Sequence, residues 1–219
     1  MASIDTASPR PLKGQSAYDM LKRRIITLEI PPGAPLDERE LKDKLGIGRT
    51  PLREAMLRLS HERMIVHVPR RGARVSELSI FDLQEMIEAR SHIEPLVTLR
   101  AAERAADTDI RYLESLIERA EAAVDAGDVE STIDDDLEFH TAIARMNGNR
   151  YFATTAEQIN TALLRYWYIS FTGPAGLANS FGHHRKILEA IAARDPGLAR
   201  ARALEHIEIF RSRMGDLIV

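Results

Sequence analysis

The sequence predicts a mostly α-helical fold in two parts: a short helix-turn-helix with a basic hairpin, followed by an all-helical bundle. Three observations carry that reading. Apolar residues recur at helical spacing in segment after segment of the 219 residues. The strand-like stretches are confined to one place, "MIVHV" and "ARVSE", on either side of "PRRG". From Ser79 onward Pro and Gly thin out, and the remaining breaks, "DTD", "AGD", "NGN", "TGPAG" and "DPG", are turn chemistry.

That length holds one large or two small domains with a real hydrophobic core. The expected division is a flexible N-terminal arm over 1–14, a winged helix-turn-helix over 15–77 and an all-α domain over 78–219. The chain has no cysteine, which excludes disulfides, thiolate zinc sites and cysteine nucleophiles, so any metal must be held by His, Asp or Glu. No apolar run approaches the roughly 18 residues of a spanning helix, and the start "MASIDTASPRPLKG" lacks the apolar core of a signal peptide. The expectation is a soluble, cytoplasmic protein with no membrane partner. The net charge of -3 hides an asymmetry: residues 1–77 carry 15 Lys and Arg against 10 Asp and Glu, and the remainder 15 against 23. A basic front on an acidic body suggests that the front meets a polyanion.

In "AYDMLKRRIITLEI", Tyr18, Leu21, Ile25 and Leu28 stand at helical spacing, and "PPGAP" stops the helix. A second helix opens at "LDERELKDKLG", with Asp37 as N-cap, Glu40 placed as in a capping box and Gly46 at its end. After "GIG" comes "RTPLREAMLRLSHE". Its Pro51 is tolerated only in a first turn, and Leu52, Ala55, Met56 and Leu59 form the apolar stripe. Two short helices around a glycine turn make a helix-turn-helix, and the hairpin adds a basic wing. In that arrangement the second helix enters the major groove. Arg49, Thr50 and Arg53 stand at its start, where arginine can pair with guanine and backbone amides face phosphate. Arg39 and either Arg70 or Arg71 would add backbone or minor-groove contacts.

The stretch "PPGAPLDERELKDKLGIGRTPLREAMLRLSHERMIVHVPRRGARV" resembles the N-terminal domain of the GntR family of bacterial transcriptional regulators, with its R-T-P-[VL]-R-E-A core and a wing ending in R-G. The resemblance covers residues 16–76 and implies DNA contacts from Arg39, Arg49, Thr50, Arg53, Arg71 and Gly72. One departure is Gly48, where the family commonly has Ser or Thr able to cap the recognition helix.

The second part predicts helices over 79–105, 108–126, 131–147, 149–171, 179–194 and 196–216, with Pro95 interrupting the first. In "DDDLEFHTAI", residues four apart share a helix face, which pairs His140 with Asp136 on the stripe of Ile133, Leu137, Ile143 and Ala144. Asp134 and Asp135 are most simply first-turn acids of a helix capped by Ser131 or Thr132. His184 lies on the stripe of Ile187, Leu188 and Ile191, with His183 off its centre, and His206 on the stripe of Ala203 and Phe210. A single histidine on such a face is usually a satisfied core residue. A buried aspartate beside three of them needs a partner, because an unpaired buried carboxylate costs several kcal/mol. A divalent cation is one such partner, and spacing alone leaves both readings standing.

Residues 79–216 resemble the FCD ligand-sensing domain of the FadR subfamily of GntR regulators. The marks are D-x-x-x-H within "DLEFH", "HRKILEAIAARDPGLARARALEH" and "EARSHIEPL". The resemblance implies a divalent metal held by Asp136, His140, His184 and His206, with zinc foremost and nickel, iron or manganese also suited. It further implies a small organic or sugar acid as effector, a homodimer, and a palindromic double-stranded DNA operator. Arg90 lies on the inward stripe, either as a second clamp for the effector carboxylate or as the partner of Glu94. The cluster "RYWY", Arg165 to Tyr168, is placed either at the pocket or in the core. A purely structural metal is a second reading. A metal-dependent hydrolase is disfavoured: no general base stands beside the ligands, and the pair His61 and Glu62 is followed by Ile65 where H-E-x-x-H needs histidine.

Overall fold

A computed structural model describes residues 13–171 and 181–217, with side chains described over 16–169 and 181–215. Of the expected N-terminal arm, residues 1–12 lie outside the described residues, while Lys13 and Gly14 already belong to the first helix. The break at "TGPAG" and the first two residues of the helix expected over 179–194 also lie outside them. The chain forms two compact units, Met1–Glu77 and Leu78–Val219.

In the first unit, α1 (Lys13–Ile26), α2 (Glu38–Leu45) and α3 (Arg49–His61) precede β1 (Ile65–Val68) and β2 (Gly72–Val75). Leu21 and Ile25 of α1 and Leu52, Ala55 and Leu59 of α3 are fully buried against one another's helices, as the apolar stripes predict. Leu28 departs from its expected place: the helix ends at Ile26, and Leu28 turns left-handed with φ 59°. Polar contacts fix the α1–α3 crossing. Tyr18 donates to Glu62 at 2.5 Å, Lys22 reaches Glu62 at 3.1 Å, and Arg58 lies 3.7 Å over the Tyr18 ring.

Asp37 caps α2 by accepting from the amides of Arg39 and Glu40, and Gly46 ends it at φ 65°, a left-handed turn favourable to glycine. Glu40 pairs with Lys44. Strands β1 and β2 are antiparallel, in a register from Ile65 opposite Val75 to Val68 opposite Gly72. The stretch read only as a helix stop has a further use. Leu36 donates to Ala73, Val75 donates to Ala34, and Pro35 bridges Arg74, so this segment borders β2 as a short edge. Proline is at home there, because an edge position asks for no amide donor.

The second unit holds α4 (Ile80–Arg104), α5 (Asp107–Ala126), α6 (Val129–Met146), α7 (Arg150–Phe171), α8 (Phe181–Ala192) and α9 (Pro196–Leu217). Helix α4 is central: it packs most extensively on α9 and also touches α6, α7 and α8, while α5 lies on α6 and α8. It stays one helix through the buried Pro95. Leu113, Ile117, Phe139, Ile143, Ile187 and Ile191 form the core, and each such side chain contributes roughly 1.5–3 kcal/mol by leaving water. The start of α7's last turns is tied to the start of α4, since the Tyr166 hydroxyl accepts from the Ser79 amide and donates to its carbonyl.

Helix α6 corrects one expectation. Its cap is Asp128, accepting from the Ser131 amide, so the helix begins at Val129, ahead of Ser131 and Thr132. Asp134 and Asp135 therefore lie beyond the first turn, where the helix dipole no longer favours an acid. Asp134 is exposed, but Asp135 is buried and bound to Arg119 of α5. Burial pushes the Asp135 carboxyl above its usual 3.8, with Arg119 opposing. No helix among the described residues is long and apolar enough to cross a membrane.

Candidate DNA-binding face and metal centre

The side chains of Arg39, Arg49, Thr50, Arg53 and Arg71 are all exposed, as is Gly72. Arg49, Thr50 and Arg53 occupy the first turns of α3, where unpaired backbone amides and the positive end of the helix dipole favour phosphate. The N-cap is Gly48, in extended conformation and with no side-chain capping bond, so this helix start lacks the cap a Ser or Thr would give. Arg53 is held by Glu38 of α2, Nε to Oε2 at 2.8 Å, a contact between two helices that spacing along either one does not express. At the wing tip, Arg70 and Gly72 are both left-handed, at φ 64° and 75°, on either side of exposed Arg71.

The second unit brings its four expected ligands together from three helices. His140 of α6, His184 of α8 and His206 of α9 each offer a ring nitrogen within 4.8 Å of the others. Nε2 of His140 and Nε2 of His184 are 3.1 Å apart. Asp136, one turn before His140, places Oδ1 3.1 Å from His184 Nε2 and Oδ2 3.9 Å from His140 Nε2. Asp136, His140 and His184 are each at least 96 % buried, and His206 is half-buried. Phe139 stands edge-on to His184 and His140, which fixes their ring planes from the core side. His183 points away, 3.9 Å from Glu205.

Arg90 of α4 takes up the second of the two places expected for it, as the partner of Glu94. It pairs with Glu94 through Nε to Oε2 and through Nη2 to Oε1, and the same Nη2 lies 3.3 Å from the Nε2 atoms of His140 and His206. Its Nη1 is buried without a hydrogen-bond partner among the described residues. The guanidinium lies 5.2 Å from the centre of the Trp167 ring and 5.9 Å from that of Phe210. Trp167 thus faces the cluster, 5.8 Å from the His140 ring, while its neighbour Tyr166 is spent on anchoring α4. Glu94 also meets His140, Oε1 to Nδ1 at 3.0 Å. Only its link to Arg90 was visible in the i, i+4 spacing.

The electrostatics of the cluster favour the ligand forms of Asp136 and His206. Burial works to raise the Asp136 carboxyl, but His184, then His140 and Arg90, outweigh it and hold it below the usual 3.8. Burial likewise opposes ionisation of Glu94, and Arg90 and His140 hold it well below 4.5. Burial, then repulsion from His184, His140 and Arg90, keeps the His206 imidazole well below 6.5, hence neutral. Carboxylate and neutral imidazole are the states that bind metal. Three imidazole nitrogens and one carboxylate, buried and converging, fit a divalent cation of the borderline class.

Comparison with known proteins accounts for both units. The model of the bacterial regulatory proteins of the gntR family matches residues 13–75, and that of the FCD domain matches residues 85–209. The transcriptional repressor GlaR of Escherichia coli is 29% identical, with 87% of this chain and 90% of GlaR covered. The repressor RspR of Escherichia coli is 25% identical, with 92% and 88% covered. The solved structure of Escherichia coli McbR/YncC shares the fold, with a TM-score of 0.82 at 24% identity over 96% of this chain and all of that one. These relatives are transcriptional regulators and not enzymes. With a helix-turn-helix and wing presenting arginines, and a helical domain matched over its length, the chain belongs to the GntR family of DNA-binding transcriptional regulators, in the branch that carries an FCD domain.

Proposed function

We propose that this regulator senses a small carboxylic acid at a divalent metal held by Asp136, His140, His184 and His206, and that binding changes its hold on a palindromic operator. One observation carries the reading: beside the convergent imidazoles, Arg90 keeps a buried Nη1–H with no partner among the described residues. A buried unpaired donor costs about 1–3 kcal/mol, which an acid carboxylate would recover in a charge-assisted hydrogen bond. The metal, when bound, supplies a second positive centre for that carboxylate. Arg90 orients the acid, and the Trp167 and Phe210 rings wall the site on the Arg90 side.

Arg49, Thr50 and Arg53 read the major groove, with Arg39, Arg71 and Gly72 on the backbone or minor groove. The protein acts in the cytoplasm as a homodimer, whose two recognition helices match the two halves of the operator. Acid binding shifts operator affinity to the extent that the acid binds the DNA-competent and incompetent states unequally. The spare donor on Arg90 favours this reading over a purely structural metal.

Thermal unfolding of the zinc-loaded and zinc-stripped protein against a panel of small mono- and dicarboxylic and sugar acids tests the proposal. At least one acid raises the melting temperature only when zinc is present, and the rise disappears in Arg90→Gln. Equal response with and without zinc, or no response to any acid, contradicts it.

A further inference from the structure

We infer that Glu94 is a positioning residue that fixes the tautomer of His140, leaving the Nε2 of that ring bare toward the metal; the inference rests on the metal reading above. Glu94 is 95 % buried and lies in the same helix as Arg90, on α4, while His140 comes from α6. Three N–H groups compete for its two oxygens: Arg90 Nε on Oε2, and Arg90 Nη2 and His140 Nδ1 on Oε1. A carboxylate only accepts, so a neutral His140 facing it at 3.0 Å carries its proton on Nδ1.

The other side of the ring is consistent with that assignment. Nε2 of His140 lies 3.3 Å from Arg90 Nη2, which can only donate, so a hydrogen bond between them has Nε2 as acceptor; Nη2 shares its two hydrogens among Glu94 Oε1 and the Nε2 atoms of His140 and His206. Nε2 of His140 is also the nitrogen that meets His184 and lies on the Asp136 side. Glu94 therefore assigns Nδ1, and in the neutral ring Nε2 is the nitrogen left with a lone pair, pointing into the cluster. Outer carboxylates of this kind raise ligand basicity and orient the ring.

Donor counting also gives the consequence of Glu94→Gln. The amide keeps one acceptor oxygen and gains an NH2. The arginine, which cannot accept, takes the oxygen, so the NH2 turns toward His140 Nδ1. His140 then accepts at Nδ1 and carries its proton on Nε2, the wrong nitrogen for the metal. A role confined to anchoring Arg90 would leave the His140 tautomer as it was.

The test is long-range 1H–15N NMR on the full-length, metal-free protein with 15N-labelled histidine, the His140 signals identified by their loss in His140→Asn. In the native protein His140 shows the Nδ1–H pattern, and in Glu94→Gln it moves to Nε2–H. Zinc affinity, measured by competition with a chelator, falls about 10–100-fold in Glu94→Gln, with the circular dichroism spectrum retained. An Nε2–H pattern in the native protein overturns the inference, and so does an unchanged tautomer in the variant. Because the native tautomer is read without metal and without substitution, it decides the inference even if Glu94→Gln does not fold. A native protein that holds Nδ1–H but binds no zinc overturns the metal reading instead.

Discussion

The two units use the same side-chain types under opposite conditions. On the first, Arg49, Thr50, Arg53 and Arg71 stand in water, and Arg53 shares an ion pair with Glu38 in which the two side chains are 62% and 38% exposed. On the second, Arg90, Glu94, Asp136, His140 and His184 are nearly sealed. In water an ion pair contributes about 0–1 kcal/mol, so the exposed arginines are available to a polyanion and exchange partners at little cost. In the interior each charge needs a fixed partner, so the cluster is rigid, mutually dependent and suited to one compact cation and one anion. Arginine count alone does not mark function; the surrounding medium decides whether a charge reads a surface or builds a site.

The difference can be broken from either side. The largest effect belongs to the buried unit. Phe139→Ala removes a ring that is 1% exposed and packs on His184 and His140, and it lowers unfolding free energy by about 3–5 kcal/mol while weakening zinc binding, both readable by denaturant titration and chelator competition. Next come the exposed arginines. Arg49→Ala or Arg53→Ala costs about 1–3 kcal/mol in affinity for a DNA site selected from a random pool by the native protein, leaving the unfolding midpoint unchanged. If either substitution destabilises the fold while DNA binding survives, the contrast is wrong.

Asp135 sharpens the boundary between the two conditions, being a buried carboxylate tied to an Arg119 side chain that is 63% exposed. Its carboxyl is raised above 3.8, so ionisation disfavours the fold. The native protein therefore loses stability relative to Asp135→Asn as pH rises through 3.8, and the two converge below it, where the acid is protonated in both states. The gap at neutral pH is no more than about 1 kcal/mol, measured by unfolding across the pH range. Smallest of all, Gly48→Ser supplies the missing cap of α3. The added Cβ meets only Pro51 at 3.5 Å, and stability rises by a few tenths of a kcal/mol.

Local chemistry was legible in the sequence where one element suffices to express it. The caps at Asp37 and Gly46, the stripe of Leu52, Ala55, Met56 and Leu59, and the inward turn of Asp136, His140 and His184 all follow from spacing along one helix. Contacts between elements were not. Glu94 on His140, Arg119 on Asp135, Glu38 on Arg53 and Pro35 beside Arg74 each join residues brought together only by packing. Asp135 was misread as a first-turn acid because Asp128 caps α6 earlier than the Ser131 and Thr132 signal suggests. The same packing aims Trp167 at Arg90 and gives Tyr166 to Ser79, a division within "RYWY" that composition does not express.

The most direct test of the buried site is elemental analysis of the purified full-length protein beside Asp136→Ala, both expressed with added zinc, nickel, iron and manganese. The account predicts a stoichiometric divalent metal in the native protein and its loss from the variant, with helical content retained. A native protein free of metal, or an Asp136→Ala protein that keeps its full complement, would contradict it.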